Sequence, residues 1–524
     1  MKKRNLIICI SLLLIIGIGV ILLFNLGFNI EDINQYTEIG RSPKIDPDYV
    51  NTVIPPNIAP MNFFIKEPGT RYYVQISSAN GKEIKISSNN GKIIIPIRKW
   101  KQLLNVNRGE AINYVVYIKN KGEWYRYQTF SNKIAKEDID SHLVYRLIDP
   151  MFVQSKIMGI YQRNVTNFHE EAVLHTRAMN ACYNCHSFCN KKPDNMMMHI
   201  RGGKGAGTFI IQNGSIKKIN TTTAFNKYPG AYRSWHPSGK IIAFSVNIVR
   251  QFFHAVGYTQ EGYDKMSDLI LYKIDSNMVT TCPDIASPRF METYPEWSPD
   301  GRYLYYCRAK QPDSSSSFEE VYDKIMYDLM RIPYDMETDT WGKPEVVLSH
   351  KRTNLSVTQP RISPDGKYLA CAMTRWGTFS IHRPGGDIYL LNLKTGELYE
   401  ADVNSDRPES YNSWSSNSRW LVFSSKMRDD VITRPYFTYI DENGKAHKPF
   451  ILPQEDPTFY DTFIITYNVP ELVDGPIPVR GQEIIRTALA EGSTQKAVLD
   501  PEIDLDAVTS ATMKDEEGGN YFHQ

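Results

Sequence analysis

Disulfide-forming capacity is scarce in this chain: its 524 residues include 7 cysteines, with Cys282, Cys307 and Cys371 scattered and Cys182, Cys185 and Cys189 clustered. That is not a disulfide framework. Charge of one sign is missing as well. The 60 basic residues stand against 58 acidic ones, for a net +2 with no basic block, which argues against nucleic acid as a partner. No Gly-x-Ser-x-Gly elbow occurs, so a propeller-type serine peptidase is not expected. Paired carboxylates such as Glu319-Glu320 and Glu516-Glu517 are adjacent and point apart, and His236 and His382 read as structural, so no acid/base constellation emerges. At 42% hydrophobic and 12% aromatic, the chain has enough apolar residues for more than one core.

The first positive signal is at the N-terminus. Met1-Lys2-Lys3-Arg4 precedes an apolar run from Leu6 to Phe24, long enough to cross the hydrocarbon core as a helix. Basic residues before the run and Glu31 and Asp32 after it orient the N-terminus to the cytoplasm and export the rest. No small-residue Ala-x-Ala site follows, so residues 1–30 are read as an uncleaved signal anchor in the inner membrane, single-pass, with the bulk of the chain in the periplasm. Cys9 lies ahead of most of the apolar run and reads as a membrane-buried thiol, not a lipobox cysteine.

The most specific signal is Asn180-Ala181-Cys182-Tyr183-Asn184-Cys185-His186. Its core, Cys-x-x-Cys-His, is the pattern of covalent c-type haem attachment, in which two cysteines form thioethers with the haem vinyl groups. His186 follows immediately and can present its imidazole to the iron. Two other readings stay open. Cys182, Cys185, Cys189 and His199 supply donors for a structural zinc, and a thioredoxin-like dithiol needs a βαβ context that is not found here. Haem c is attached outside the cytoplasm, so the export signal and the motif support each other.

The second half carries repeats: Trp235-His236-Pro237-Ser238-Gly239, Trp297-Ser298-Pro299-Asp300-Gly301, Ile362-Ser363-Pro364-Asp365-Gly366 and Trp414-Ser415-Ser416-Asn417-Ser418. Each sets a tight turn ahead of a strand-forming run such as Tyr303-Leu304-Tyr305-Tyr306. A second strand set follows in each period, including Asp268-Leu269-Ile270-Leu271-Tyr272 and Asp387-Ile388-Tyr389-Leu390-Leu391. Two hairpins per repeat make the four-stranded sheet of a propeller blade. These repeats resemble TolB-like β-propeller proteins over residues 206–475. The repeats count as four clear blades, and a fifth or sixth is expected to be closed by Thr208-Phe209-Ile210-Ile211 pairing with Phe463-Ile464-Ile465-Thr466-Tyr467.

Residues 48–140, with strand runs such as Tyr72–Ile76 and Tyr114–Ile118 and turns at Asn80-Gly81, Asn90-Gly91 and Lys121-Gly122, read as an immunoglobulin- or fibronectin-like β-sandwich. The fold class is therefore all-β: anchor, sandwich, a short haem segment at residues 145–205, propeller, and a tail at residues 476–524. A haem held in so short a segment is expected to wedge between the two β-domains. For the distal side, Met197, Met198 and His199 are candidate ligands in Asn195-Met196-Met197-Met198-His199-Ile200-Arg201, and Arg201 is a candidate partner for a propionate. The Cys182–Phe188 segment followed by Met196–Gly202 resembles bacterial exported TolB-like, cytochrome c-related proteins, which implies one haem c per chain.

In the tail, Asp506-Ala507-Val508-Thr509-Ser510-Ala511-Thr512 resembles the acceptor motif of proteins carrying covalent FMN through their final threonine, here Thr512. Ser510 departs from the usual glycine, and the surrounding FMN-binding domain is missing. The alternative is an acidic, solvated tail. Three functions follow from these features: electron transfer with a redox partner in the cell envelope, a haem-dependent oxidoreductase with its active site in the propeller, or a non-redox scaffold stapled by zinc. The first is the one expected, with the chain acting as a carrier and not as an enzyme in its own right.

Overall fold

Six sheets, three of four strands and three of five, follow one another from residue 142 onward, each built on consecutive antiparallel strands. This computed structural model describes residues 33, 35–150, 157–179, 181–252, 261–312, 318–505, 507 and 508, with backbone alone at residues 185, 250–252, 261, 318 and 319. The anchor expected at residues 1–30 and Thr512 lie outside the described residues. Among the described residues no helix is long and apolar enough to cross a membrane.

The sheets are the blades of a propeller. Their inner strands are Thr466–Val473, Cys182–Phe188, Arg233–Trp235, Phe290–Trp297, Ser356–Ile362 and Glu409–Trp414, for blades one to six. Each inner strand touches the next and the sixth returns to the first, so the ring is closed. Blade one is composite: Thr466–Val473 pairs with His142–Ile148, which continues outward to Gly159–Asn164 and Glu170–His175. The end of the ring is thereby stitched to its beginning.

Two expectations are corrected here. Thr208–Ile211 does not pair with residues 463–467; Gly207–Gln212 lies between Asn195–Arg201 and Ser215–Asn220 inside blade two, and the closing partner of Thr466–Val473 is His142–Ile148. Residues 145–205 are not an insert wedged between domains, because they supply strands to blades one and two. The reason is visible in His142–Ile148, which is buried throughout. A strand covered on both faces loses the alternation that marks a half-exposed one.

The turn motif has a physical basis common to three blades. In blade four, Ser298 Oγ donates to Asp300 Oδ1 (2.6 Å) and accepts from Tyr303 N (3.0 Å), closing the hairpin from inside. Ser363 does the same with Asp365 and Tyr368, and Ser415 with Asn417 and Trp420. Gly301 and Gly366 take φ of +73° and +71° at the turn, where a side chain is strained. His236 is structural in this setting, its Nε2 3.1 Å from the Gly301 carbonyl and its ring edge-on to Trp297.

Before the propeller, a seven-stranded sheet centred on Ala111–Asn120 packs on a three-stranded one of Ile45–Asp46, Phe63–Ile65 and Lys92–Ile93. Lys121-Gly122 turns the chain between Ala111–Asn120 and Glu123–Tyr127 with φ positive at both residues, as a two-residue hairpin requires. One helix, Ile97–Asn105, was not foreseen. It buries Trp100, Leu103 and Leu104 on one side, and the Trp100 indole donates to the Ile58 carbonyl at 3.0 Å. The cores of this unit and of blades five and six are continuous.

Candidate functional site

The Cys-x-x-Cys-His segment is the inner strand of blade two, so it borders the axis of the propeller. Its partner is Asn195–Arg201, with Cys182 opposite Arg201, Tyr183 opposite Ile200 and Asn184 opposite His199. The register then slips, and Ser187 faces Met197. Cys185 and His186 therefore occupy a β-bulge. Such bulges re-aim side chains and are over-represented beside functional sites.

The bulge is a property of the ring. Blades four, five and six slip at the same place, between Thr293 and Glu296, Thr358 and Arg361, and Ser410 and Ser413. Tyr294, Gln359, Tyr411 and Val469 carry positive φ there. Cys185 stands at the equivalent register position in blade two, and His186 stands where Pro295, Pro360 and Pro470 stand in blades four, five and one.

His186 is fully buried, and among the described residues the one polar group set against its ring is the backbone of Val144, too loosely placed to close a full hydrogen bond. Burial lowers its pKa to about 4, opposed by the nearby Glu471 carboxylate and assisted by Arg233. The imidazole is thus neutral at pH 7, the form that ligates a metal. Its ring lies edge-on to Phe188, 6.1 Å between centroids. Cys182 is buried with Ile148 and Met158.

The distal candidates are divided by the strand's alternation. Met196 and Met198 point into the core between blades one and two, which holds Phe188. Met197 points the other way, into the core between blades two and three. His199 is committed elsewhere: Nδ1 is 2.9 Å from Thr208 Oγ1, Nε2 is 3.4 Å from the Ala231 carbonyl, and the ring packs beside Phe244. Met198 is the candidate that shares a layer with His186.

The zinc reading gathers no site. Cys189 packs in the layer between blades two and three and donates to the His236 carbonyl (3.6 Å), whereas Cys182 lies with Ile148 and Met158. Among the described residues no group of three His, Cys, Asp or Glu side chains converges.

Of the donors that the haem reading names, Cys182 and His186 lie in this strand as described, and the Cys185 side chain lies outside the described residues. Two cavities touch this strand, one of about 40 Å³ at Asn184 and one of about 340 Å³ at Ser187 and Phe188, and neither is lined by Cys182 or His186.

Residues not foreseen from the sequence dominate the axis. Arg146, Arg233, Arg361, Gln359 and Glu471 project there from four different strands. A signal was available in the recurring X-Pro-X-apolar step Tyr294-Pro295-Glu296-Trp297, Gln359-Pro360-Arg361-Ile362 and Val469-Pro470-Glu471-Leu472, which marks the bulge in the inner strands of blades four, five and one. In the C-terminal segment, Thr494–Lys496 and Val498–Leu499 add parallel strands to blades two and three, and Val508 is buried in the core between them.

No family model and no curated protein matches this sequence. Among solved structures, the chain is similar to TolB from Acinetobacter baumannii at 14% identity and TM-score 0.40, over 70% of this chain and 79% of that one. It is similar to an ACO/RPE65 chimera at 10% identity and TM-score 0.37, over 84% and 100%, and to the tricorn protease at 10% identity and TM-score 0.34, over 76% and 43%. At these scores the likenesses carry no functional weight, and it is the closed ring of six sheets that makes this chain a β-propeller.

Proposed function

We propose that this chain is an extracytoplasmic c-type cytochrome built on a propeller, tethered by residues 1–30 to the inner membrane, which passes electrons to a redox partner in the cell envelope. The observation that carries the reading is His186: it follows Cys182-Tyr183-Asn184-Cys185 directly, is fully buried, and is held as a neutral imidazole by that burial. A neutral buried imidazole is the form that would hold a haem iron. Haem contributes one-electron transfer when bound.

The chain's own residues divide the remaining tasks. Cys182 and Cys185 would hold the macrocycle covalently, and His186 is kept neutral by burial. Met198 is the distal ligand this reading favours, because it shares the layer between blades one and two with Phe188. Covalent FMN at Thr512 would add a two-electron carrier to the same chain.

The test is a haem stain on a denaturing gel with a pyridine haemochrome spectrum, for wild type and Cys185→Ala, expressed with c-type maturation machinery. Covalent haem in the wild type that is lost in the variant supports the reading. A wild-type chain without haem from a host that matures other c-type cytochromes sinks it.

A further inference from the structure

The propeller axis carries buried hydrogen-bond donors that find no acceptor among the described residues. Arg146 and Gln359 line the narrow cavity of about 40 Å³. They are 2% and 4% exposed, and Arg146 Nε and Gln359 Nε2 have no partner among the described residues. The Gln359 amide is fixed in this orientation, because its oxygen accepts from Ser410 Oγ (2.8 Å) and Tyr411 N (2.7 Å) and the NH₂ end is left over.

Below this constriction the axis widens to a cavity of about 340 Å³ at the end of the ring that carries the Ser-Pro-Asp-Gly turns. Trp235 and Trp297 line it, and their indole N–H groups are likewise buried and without a partner among the described residues. The volume falls at the lower end of the range of small-molecule sites, about 300–1,000 Å³.

Charge points the same way. Arg146, Arg233, Arg361 and Lys191 line the two cavities against Glu296 and Glu471, four cations facing two carboxylates. Arg361 Nη1 is 3.2 Å from Glu296 Oε2, and Arg233 Nη2 is 3.4 Å from Glu471 Oε1. Lys191 Nζ donates only to a neutral oxygen among its described contacts, Ser413 Oγ at 2.9 Å. Asp140, a carboxylate at this end that does not line the cavity, is taken up by Ser416 N (2.8 Å) and Ser416 Oγ (2.5 Å).

We infer that the axial channel binds a small multivalent oxyanion, a polycarboxylate or a phosphate compound, entering from the turn-bearing end. The guanidinium groups of Arg361 and Arg146 and the Gln359 amide receive its oxygens, the Lys191 ammonium neutralises its outer charge, and the two indoles wall its body. Donors that are buried and cationic suit charge-assisted bonds to an oxyanion. This inference stands apart from haem attachment and is tested without it.

The test is isothermal titration of the full-length chain in detergent with citrate and with pyrophosphate, acetate serving as the monovalent control. Saturable one-to-one binding of citrate or pyrophosphate, absent for acetate, is expected, and which anion binds separates carboxylate from phosphate chemistry. Arg361→Gln is expected to weaken it about tenfold, the loss of one charge-assisted bond. Lys191→Gln, at a half-buried position outside the packed core, is the second variant and is expected to weaken it in the same direction. No saturable binding of either multivalent anion to the wild type, or binding unchanged in both folded variants, overturns the inference.

Discussion

Arg428 grips Asp46 across the joint between blade six and the N-terminal β-unit, Nη1 to Oδ1 at 2.6 Å and Nη2 to Oδ2 at 3.1 Å. The same guanidinium reaches Asp461 Oδ1 at 2.8 Å. Burial raises the Asp46 pKa, but hydrogen bonds from Arg428 and Lys66 outweigh it and leave the carboxyl below its ordinary value.

Arg428→Leu is therefore expected to loosen the two units. Removing one partner from a largely desolvated fork costs about 2 to 3 kcal/mol, and limited proteolysis should cut the joint faster in the variant. Because the Asp46 pKa is depressed in the folded chain, its contribution is present above about pH 4 and is lost as pH falls below that. Acid should thus loosen the wild type toward the variant's behaviour. Equal protease resistance of both proteins at pH 7 would show that the fork holds nothing.

Asp264 has the opposite sign. It is 2% exposed and held by Asn247 Nδ2 (3.1 Å) and Thr378 Oγ1 (3.4 Å), and burial raises its pKa to about 7. The folded chain keeps this proton up to neutrality while the unfolded chain releases it near pH 4. Stability is therefore greatest below pH 4 and declines toward pH 7, by on the order of 3 kcal/mol from this group. Urea denaturation of wild type and Asp264→Asn at pH 4.5 and 7.5 reads the difference, and the variant should show the smaller change. An identical change in both would locate the pH dependence elsewhere.

Gly301 and Gly366 offer a matched pair, since both hold the same turn with nearly equal φ. A Cβ at Gly301 would overlap the His236 ring, whereas one at Gly366 meets nothing within 4 Å. Gly366→Ala should cost about 1 kcal/mol, the strain of a left-handed alanine. Gly301→Ala should cost roughly 1 kcal/mol more for displacing His236. Chemical denaturation of the two variants compares them, and equal losses would mean that His236 moves freely.

Closure of the ring by Thr466–Val473 predicts that deleting this strand abolishes cooperative folding, although it lies after all the recognisable repeats. Blade one would be left with three strands and an exposed inner edge on His142–Ile148. The expected result is loss of a single thermal transition in calorimetry. A sharp, unshifted transition in the deleted chain would show that the ring does not depend on its stitch.

What the sequence by itself determined lies mostly in local chemistry. The Ser-Pro-Asp-Gly turns at 298–301 and 363–366 announce their hairpins because a serine hydroxyl, an aspartate and a glycine close the loop within six residues, and Lys121-Gly122 announces its own. The third strands, such as Asp387–Asn392, follow from the same period. Cys182, Cys185 and His186 were named by spacing alone. What the tertiary structure decided is everything that depends on distant partners. His142–Ile148 is buried on both faces and so shows no alternation, and its pairing with residues 466–473 spans the whole propeller, beyond any local pattern. The helix Ile97–Asn105 follows a run that reads as strand up to Pro96, and its apolar side is defined only by the sheets it covers. The position of Cys185 and His186 in a bulge, and the convergence of Arg146, Arg233 and Arg361 on one axis, arise because ring closure brings the inner strands of six blades to a common centre. Residues far apart in the chain become neighbours there, and their charges are felt only once water has been removed.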